Sequence, residues 1–265
     1  SLCAGLRLLS SPLFYGEQAL ARKGRKYHML EPQITTVLFD LDGTLLPMEL
    51  EKFTNTYFGL LAKKAAPFGF QPEPLVAAVW KGTKAMVKND GTETNDKRFW
   101  DTFAGEMGEE VLQLRPVFDG FYANEFHGAK AACGENPLAK QAVEGLKTKG
   151  YDVILATNPI FPRVGVETRL SWVGLTLEDF SLVTSYENST TCKPNPAYYA
   201  EILRKTGKRP QECLMVGNDA TEDTAALEQG IGVYLVTDCL LNPKGRDISG
   251  LPQGTFAAFL EFAGV

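Results

Sequence analysis

A run of apolar residues that ends in two closely spaced acids limits the possible folds of this chain. Residues 37–46 read VLFDLDGTLL. Apolar β-formers followed by a Gly-Thr turn predict a buried strand that ends in a loop. Side chains alternate along an extended segment, so Asp40 and Asp42 should point the same way at the carboxyl end of the strand. Such a pair suits a hard cation such as Mg²⁺, and also a division of labour between an attacking acid and a proton-transferring acid.

Composition excludes several classes of function. The chain has 265 residues and a net charge of −5, which argues against a nucleic-acid-binding surface. The five cysteines are scattered and form no CxxC pair, which predicts free thiols in a reducing compartment and a cytoplasmic location. No apolar run reaches the roughly 18 residues that a membrane span requires.

The first 30 residues differ from the rest. They carry Arg7, Arg22, Lys23, Arg25 and Lys26 against one acid. No small-residue cleavage site is evident, which argues against a secretory signal. We interpret residues 1–30 as an N-terminal extension, either a flexible arm or translated upstream sequence, with Met29 as an alternative start.

The remaining chain divides into two patterns. Residues 47–136 show apolar residues at helical spacing and predict about four packed helices. From residue 137 onward, predicted helices and strands alternate, which requires a parallel sheet covered on both faces. We predict strands over residues 151–157, 181–185, 213–216 and 231–236, and helices that begin at Asn136-Pro137, Val164, Pro196 and Thr221. Ligands bind at the carboxyl ends of such strands, where Asp40, Thr157 and Asp219 would lie.

Three further motifs follow the first at predicted strand ends or helix starts. Thr157-Asn158 offers a hydroxyl and an amide to a phosphoryl oxygen, although Asn158-Pro159 is equally consistent with a plain turn. Lys193 precedes a proline-led helix. The fourth motif, VGNDATED, spans residues 216–223 and supplies acids at a strand end and in a helical turn.

In their order and in their residues, the four motifs resemble those of the haloacid dehalogenase superfamily. The resemblance covers about residues 34–240 and implies an α/β fold, a Rossmann-like three-layer core with a parallel sheet and an inserted all-helical cap. The core would comprise residues 31–46 and 137–265, and the cap residues 47–136.

The resemblance also implies a magnesium-dependent phosphatase that acts on a small phosphorylated metabolite through an aspartyl-phosphate. Asp40 would be the nucleophile, and Asp42 the general acid and then base, with its backbone carbonyl on Mg²⁺. Thr157, Asn158 and Lys193 would hold the phosphoryl group. Family members commonly carry an acid directly after the motif glycine, where this chain has Asn218. We favour Asp219 over Asn218 as the metal ligand, with Asp223 behind it.

Three alternatives remain open at this point. A sugar phosphomutase shares the first motif and differs in whether water reaches the aspartyl-phosphate. A dehalogenase would need neither Mg²⁺ nor an acid at position 42. A non-catalytic binding protein would leave the convergence of acids with Lys193 unexplained. The sequence is silent on the substrate and on the oligomeric state.

A basic stripe occurs within the predicted helical segment. Lys81, Lys84 and Lys88 recur at spacings of three and four, so they share one side of a helix. The favoured interpretation is a solvated face. The alternative is a stripe that borders the active-site cleft and attracts anionic substrates.

Overall fold

The protein is described by a computed structural model over residues 29–265. Almost all of the predicted N-terminal extension, residues 1–30, lies outside this range and stays a prediction. Within the range, no helix combines the length and apolar character needed to cross a lipid bilayer.

Among residues 29–265, six parallel strands form a single sheet with the order β3-β2-β1-β4-β5-β6. The strand order reverses beside β1, so β1 and β4 flank the crevice where ligands bind in sheets of this kind. The strands are β1 Thr36–Phe39, β2 Asp152–Leu155, β3 Leu182–Val183, β4 Cys213–Gly217, β5 Gly232–Val236 and β6 Gln253–Gly254.

Alternation along β1 places side chains in two separate cores. Val37 and Phe39 lie in the larger core, whereas Leu38 lies in the smaller one with Tyr198 and Ile202. Helices therefore cover both sheet faces, which confirms the predicted three-layer α/β fold. The helices of the α/β part are α5 Leu138–Thr148, α6 Arg163–Ser171, α7 Pro196–Thr206 and α8 Phe256–Ala263.

Some predicted elements were wrong in detail. The strand predicted at residues 231–236 is β5, but it is not the last strand, because β6 follows it in sequence and pairs with it. The helix predicted from Thr221 is a 3₁₀ segment, Thr224–Gln229. Asn136 does not cap α5 directly, although its Oδ1 accepts a hydrogen bond of 3.2 Å from the Leu138 amide.

A helical insertion, here residues 50–132, lies between β1 and β2 in the sequence. The four predicted helices are present, joined by 3₁₀ segments. Glu49 and Thr94 cap the first and third helices by accepting hydrogen bonds from backbone amides of the first turn. The helices are α1 Leu50–Ala65, α2 Pro72–Val87, α3 Asn95–Met107 and α4 Arg115–Ala123, and the 3₁₀ segments are Ala66–Phe68, Glu109–Leu114 and Glu125–Ala132.

The chain enters and leaves the insertion at one place. Met48 and Cys133 form an antiparallel bridge, and the Gly134 amide donates a hydrogen bond of 2.7 Å to the Pro47 carbonyl. The two connections therefore form a neck, defined here as residues 47–48 and 133–134.

A second attachment is made by Asn95, the first residue of α3. Its side chain is fully buried. The Nδ2 group donates to the carbonyls of Pro159 and Thr191, at 3.2 and 3.3 Å, while Oδ1 accepts from Asn89 at 2.9 Å. Asn95 thus ties the insertion to the loops that follow β2 and β3.

Replacing Asn95 with Ala should lower the free energy of unfolding by about 2–4 kcal/mol. Each buried polar group left without a partner costs about 1–3 kcal/mol, and this change strands at least two carbonyls. Urea denaturation of the two proteins measures the difference. As a control, Asn55→Ala at an exposed position of α1 should change stability by no more than about 0.5 kcal/mol. Equal effects of the two changes would contradict the proposed attachment.

Candidate active site

The residues predicted at strand ends come together in one cavity beside β1 and β4. It opens between the sheet edge and the insertion, and apolar side chains of both parts complete its wall. The polar lining residues are Asp40, Asp42, Thr83, Thr157, Asn158, Asn218, Asp219 and Glu222. The expectation that Asp40 and Asp42 face the same space is therefore met.

Lys193 lies behind Asp40 and is almost completely buried, with 1% of its surface exposed. Its Nζ donates to Asp40 Oδ1 at 3.0 Å and to Asp223 Oδ1 at 2.8 Å. One ammonium group is thus shared by two buried carboxylates, so the cluster keeps an excess of negative charge.

Protonation of the cluster follows from burial and from these contacts. Burial alone would lower the pKa of Lys193, but Asp223 and Asp40 together raise that pKa well above its usual range. Burial raises the pKa of Asp40 to about 7, although Lys193 opposes the shift. Burial, reinforced by Asp219, raises the pKa of Glu222 to about 8. Lys193 is therefore firmly charged, whereas Asp40 and Glu222 hold protons more readily than isolated acids do.

Asp42 is held by a residue that the sequence analysis did not identify. Arg169, which is fully buried in α6, donates from Nη1 to Asp42 Oδ2. The guanidinium also lies 4.2 Å from the ring centroid of Phe161. Within residues 29–265, Asp42 Oδ1 has no hydrogen-bond partner. Arg169 thus fixes one carboxylate oxygen of Asp42, while the other oxygen is buried.

The turn after β1 requires glycine at position 43. Gly43 has φ of +89°, and a Cβ atom there would lie 2.2 Å from Asn218 Nδ2. Asn218 in turn accepts a hydrogen bond from Thr44 Oγ1 at 3.1 Å and donates to the Cys239 carbonyl at 2.7 Å. Asn218 therefore joins the loops after β1, β4 and β5.

Asp219 is engaged differently from Asn218. Its Oδ1 accepts from the amides of Thr221 and Glu222, at 2.7 and 2.9 Å, and no described hydrogen bond uses Oδ2. Asp223 accepts from the Asp219 amide at 2.8 Å and pairs with Lys193, and it is not among the residues that line the cavity. Of these residues, Asp219 has the carboxylate oxygen best placed to bind a ligand.

Of the three residues predicted to bind phosphate, Thr157 and Asn158 lie in one loop after β2, and Lys193 lies behind Asp40. Thr157 is 1% exposed and lines the cavity. Asn158 Oδ1 accepts from the Lys193 amide at 3.2 Å, and its Nδ2 donates to Glu222 at 3.1 Å. Asn158 therefore connects the second, third and fourth motifs.

The cavity suits a divalent cation in chemistry and charge. Four carboxylates line it, namely those of Asp40, Asp42, Asp219 and Glu222. Behind them, Lys193 contacts Asp40 and Asp223, and Arg169 contacts Asp42. Among residues 29–265, no three metal-binding side chains are close enough to form a complete cage. Mg²⁺ commonly uses one or two carboxylates and keeps several waters, so a sparse oxygen site with excess negative charge fits this ion.

Comparison with known proteins agrees with this geometry. Residues 34–230, about three quarters of the chain, match the family model described as haloacid dehalogenase-like hydrolase. The chain belongs to this family.

Relatives and solved structures extend over most of the chain. A phosphoglycolate phosphatase of Haemophilus influenzae is 27% identical over 78% of this chain and 88% of its own length. A predicted phosphoglycolate phosphatase of Haemophilus somnus aligns with a TM-score of 0.53 and 21% identity, over 86% of this chain and 97% of that one. A 2-haloacid dehalogenase of Pseudomonas syringae gives 0.54 and 19%, with the same coverage. The structural matches establish the haloacid dehalogenase-like fold.

The basic stripe does not belong to this hydrolase site. Lys81, Lys84 and Lys88 are absent from the lining of the cavity, and Lys81 pairs with Glu106 at 2.5 Å. It is Thr83 and Val87 that α2 contributes to the cavity. The exposure of all three lysines supports the solvated face, and the cleft-bordering alternative stays a prediction.

Arg169 left only a weak signal in the sequence. It lies between Val166, Leu170 and Val173 in a buried stripe at helical spacing. A charged residue on such a stripe is almost never fully buried without a partner. That rule indicates a buried ion pair but does not identify Asp42 as its other member.

Replacing Lys193 with Met should lower the free energy of unfolding by about 3–5 kcal/mol at pH 8, because it leaves two buried carboxylates without their cation. Without the lysine, which lowers the pKa of Asp40, that pKa in the folded state rises further above the unfolded value of about 4. The variant then binds protons on folding, so the loss should shrink as the pH falls to 5. Chemical denaturation at both pH values measures it.

The control for this change is Lys140→Met. Lys140 also has an acidic neighbour, Glu144 at 3.7 Å, but its side chain is 56% exposed. Exposed pairs contribute about 0–1 kcal/mol. A loss at position 193 that matches the control, or that does not change with pH, would contradict the electrostatic role of Lys193.

Proposed function

We propose that this protein is a magnesium-dependent phosphatase that hydrolyses a small phosphomonoester through an aspartyl-phosphate. The observation that carries the proposal is the contact of Asp40 with buried Lys193 in a cavity shared with Asp42 and Asp219. The likeness to a phosphoglycolate phosphatase along most of the chain supports the same class of reaction. A nucleophile, a fixed cation and a second acid are the groups that this chemistry needs.

In the first step, a carboxylate oxygen of Asp40 forms a bond to phosphorus and the bond from phosphorus to the ester oxygen breaks. Asp42 gives its proton to the leaving oxygen, which departs as an alcohol. In the second step, a water molecule attacks the phosphorus atom, and Asp42 accepts the proton that the water loses. The bond to Asp40 then breaks and releases inorganic phosphate.

The surrounding residues have supporting roles. Lys193 would neutralise charge on Asp40 and on the phosphoryl oxygens, and Thr157 and Asn158 would donate hydrogen bonds to the phosphoryl group. Arg169 would hold the Asp42 carboxyl in place through its contact with Oδ2. The helical insertion would act as a cap that limits the access of water to the site.

Asp40, the backbone carbonyl of Asp42 and Asp219 would hold Mg²⁺. The ion would neutralise charge that develops on the phosphoryl oxygens. Asp42 distinguishes this proposal from a dehalogenase reaction, in which a halide leaves without a proton.

Replacing Asp40 with Asn should lower kcat by at least roughly a thousandfold, since loss of a catalytic nucleophile commonly has effects of this size or larger. Phosphate release from a panel of phosphomonoesters with Mg²⁺ measures the change. Removing divalent metal by dialysis against EDTA should abolish activity in the parent protein, and adding Mg²⁺ should restore it.

Asp101→Asn is the matched control, because Asp101 is an exposed acid that pairs with Lys97 on the surface. It should leave turnover within about twofold of the parent. A loss of less than tenfold in the Asp40 variant, or full activity after removal of metal, would refute the proposed mechanism. Formation of an isomer from a hexose 1-phosphate without phosphate release would indicate a mutase instead.

Two adjacent substitutions decide which residue binds the metal. Asp219→Asn should raise the Mg²⁺ concentration for half-maximal activity at least roughly tenfold, because it removes a charged ligand. Asn218→Ala should lower stability through its lost contacts with Thr44 and Cys239, and should leave the Mg²⁺ requirement within about threefold. The opposite pattern would make Asn218 the ligand. Calorimetric titration with Mg²⁺ provides a readout independent of turnover.

A further inference from the structure

A second cavity lies within the helical insertion and adjoins the catalytic one. Phe53, Thr83, Ile160 and Phe161 line both cavities, so only these side chains stand between them. The residues that line the second cavity alone are mostly aromatic, and all except Pro162 and Tyr186 come from the four helices of the insertion. We call this second space the aromatic pocket; among its walls are Tyr57, Phe58, Trp80, Trp100, Phe103 and Tyr122.

The aromatic pocket offers no positive charge to a ligand. No lysine, arginine or histidine is among its lining residues in the described part of the chain, and its one acid is Asp119 at the exposed rim. Burial raises the pKa of Asp119, and the positive charge of Arg115 partly offsets this shift. A carboxylate or a second phosphate would enter this pocket without a partner for its charge.

The polar groups of the pocket bind one another. The hydroxyls of Tyr57 and Tyr122 are 2.8 Å apart, and Trp100 Nε1 donates to Tyr186 at 3.2 Å. Thr83 donates to the Val79 carbonyl at 2.9 Å. A sugar or polyol would therefore lose hydrogen bonds to water and find few replacements.

The size of the pocket limits the group that it can accept. The pocket has a volume of about 50 Å³. A cavity of about 150 Å³ accepts benzene. The pocket alone is therefore smaller than a benzene cavity, so a ring would also occupy part of the adjoining catalytic cavity, with which the pocket shares Phe53 and Phe161.

We infer that the aromatic pocket binds the leaving group of the substrate, and that this group carries one uncharged aromatic ring. The inference rests on the proposed phosphatase function. With the phosphoryl group at Asp40, the leaving group of the ester would extend past Phe53 and Phe161 into the aromatic pocket. Aromatic walls favour such a ring through edge-to-face and offset contacts as well as through burial. The preferred substrates are thus arylmethyl or similar phosphomonoesters, in contrast to phosphorylated carboxylic acids.

The test compares three esters whose leaving alcohols have similar basicity, namely benzyl phosphate, ethyl phosphate and phosphoglycolate. With Mg²⁺ and the full-length protein, kcat/KM for benzyl phosphate should exceed that for each of the others at least roughly tenfold. This factor is the one expected from burying a phenyl group. Equal or higher kcat/KM for ethyl phosphate or phosphoglycolate would overturn the inference and leave the phosphatase proposal intact.

A charge placed in the pocket should reverse the preference. Thr54 lines the aromatic pocket and not the catalytic cavity, and its side chain is half-buried. Thr54→Arg should lower kcat/KM for benzyl phosphate about tenfold and raise it for phosphoglycolate. Ethyl phosphate, which does not reach the pocket, should be hydrolysed within about threefold of the parent rate. Thr54→Gln adds bulk without charge and should not favour phosphoglycolate.

A binding measurement separates the two proposals if no ester is hydrolysed. Trp80 and Trp100 line the pocket, so their fluorescence should change when a ring enters it. Titration with benzylphosphonate should change the fluorescence at concentrations at least roughly tenfold below those needed with ethylphosphonate. A change with benzylphosphonate but no phosphate release from any ester would refute the phosphatase and retain the pocket. No difference between the two phosphonates would refute the pocket.

Discussion

The site depends on one buried ammonium group shared by two carboxylates. Lys193 contacts Asp40, which follows β1, and Asp223, which follows β4. Removing Lys193 would leave two carboxylates in the interior without their cation, which is far less favourable than the intact cluster. The cluster can form only if β1 and β4 are neighbours and the loop before α7 reaches between them. The strand order of the sheet therefore determines which charged groups meet in the site, and their contacts determine its protonation.

Local patterns were enough to predict the strand ends and the residues that follow them. The parallel sheet and the motifs at Asp40, Thr157 and Asp219 follow from short apolar runs and their turns. The partner of Asp42 could not be predicted, because Arg169 lies 127 residues away and only packing brings the two together. The strand β6 was missed since two residues carry no periodicity. Helix formers at residues 224–229 gave a 3₁₀ segment, because tertiary contacts override weak propensity.

Phe161 connects the acid pair with the aromatic pocket. Its ring lies 4.2 Å from the guanidinium of Arg169 and 5.7 Å, between centroids, from the ring of Tyr57. The residue that fixes Asp42 therefore packs on the same side chain that separates the two cavities. Asn95, which belongs to the insertion, donates a hydrogen bond to the carbonyl of Pro159 in the loop that precedes Phe161. In the proposed mechanism, proton transfer by Asp42 and recognition of the leaving group would therefore share the wall formed by Phe161.

The neck also bears on how the chain folds. The register of β1 with β2 pairs Thr36 with Asp152, so the central sheet cannot close until a very long loop has been ordered. If the insertion folds first, the bridge between Met48 and Cys133 shortens that loop roughly fourfold. The entropy of closing a loop grows with the logarithm of its length, and the saving is about 1 kcal/mol. An autonomous insertion would therefore bring β1 and β2 together sooner than an unstructured one.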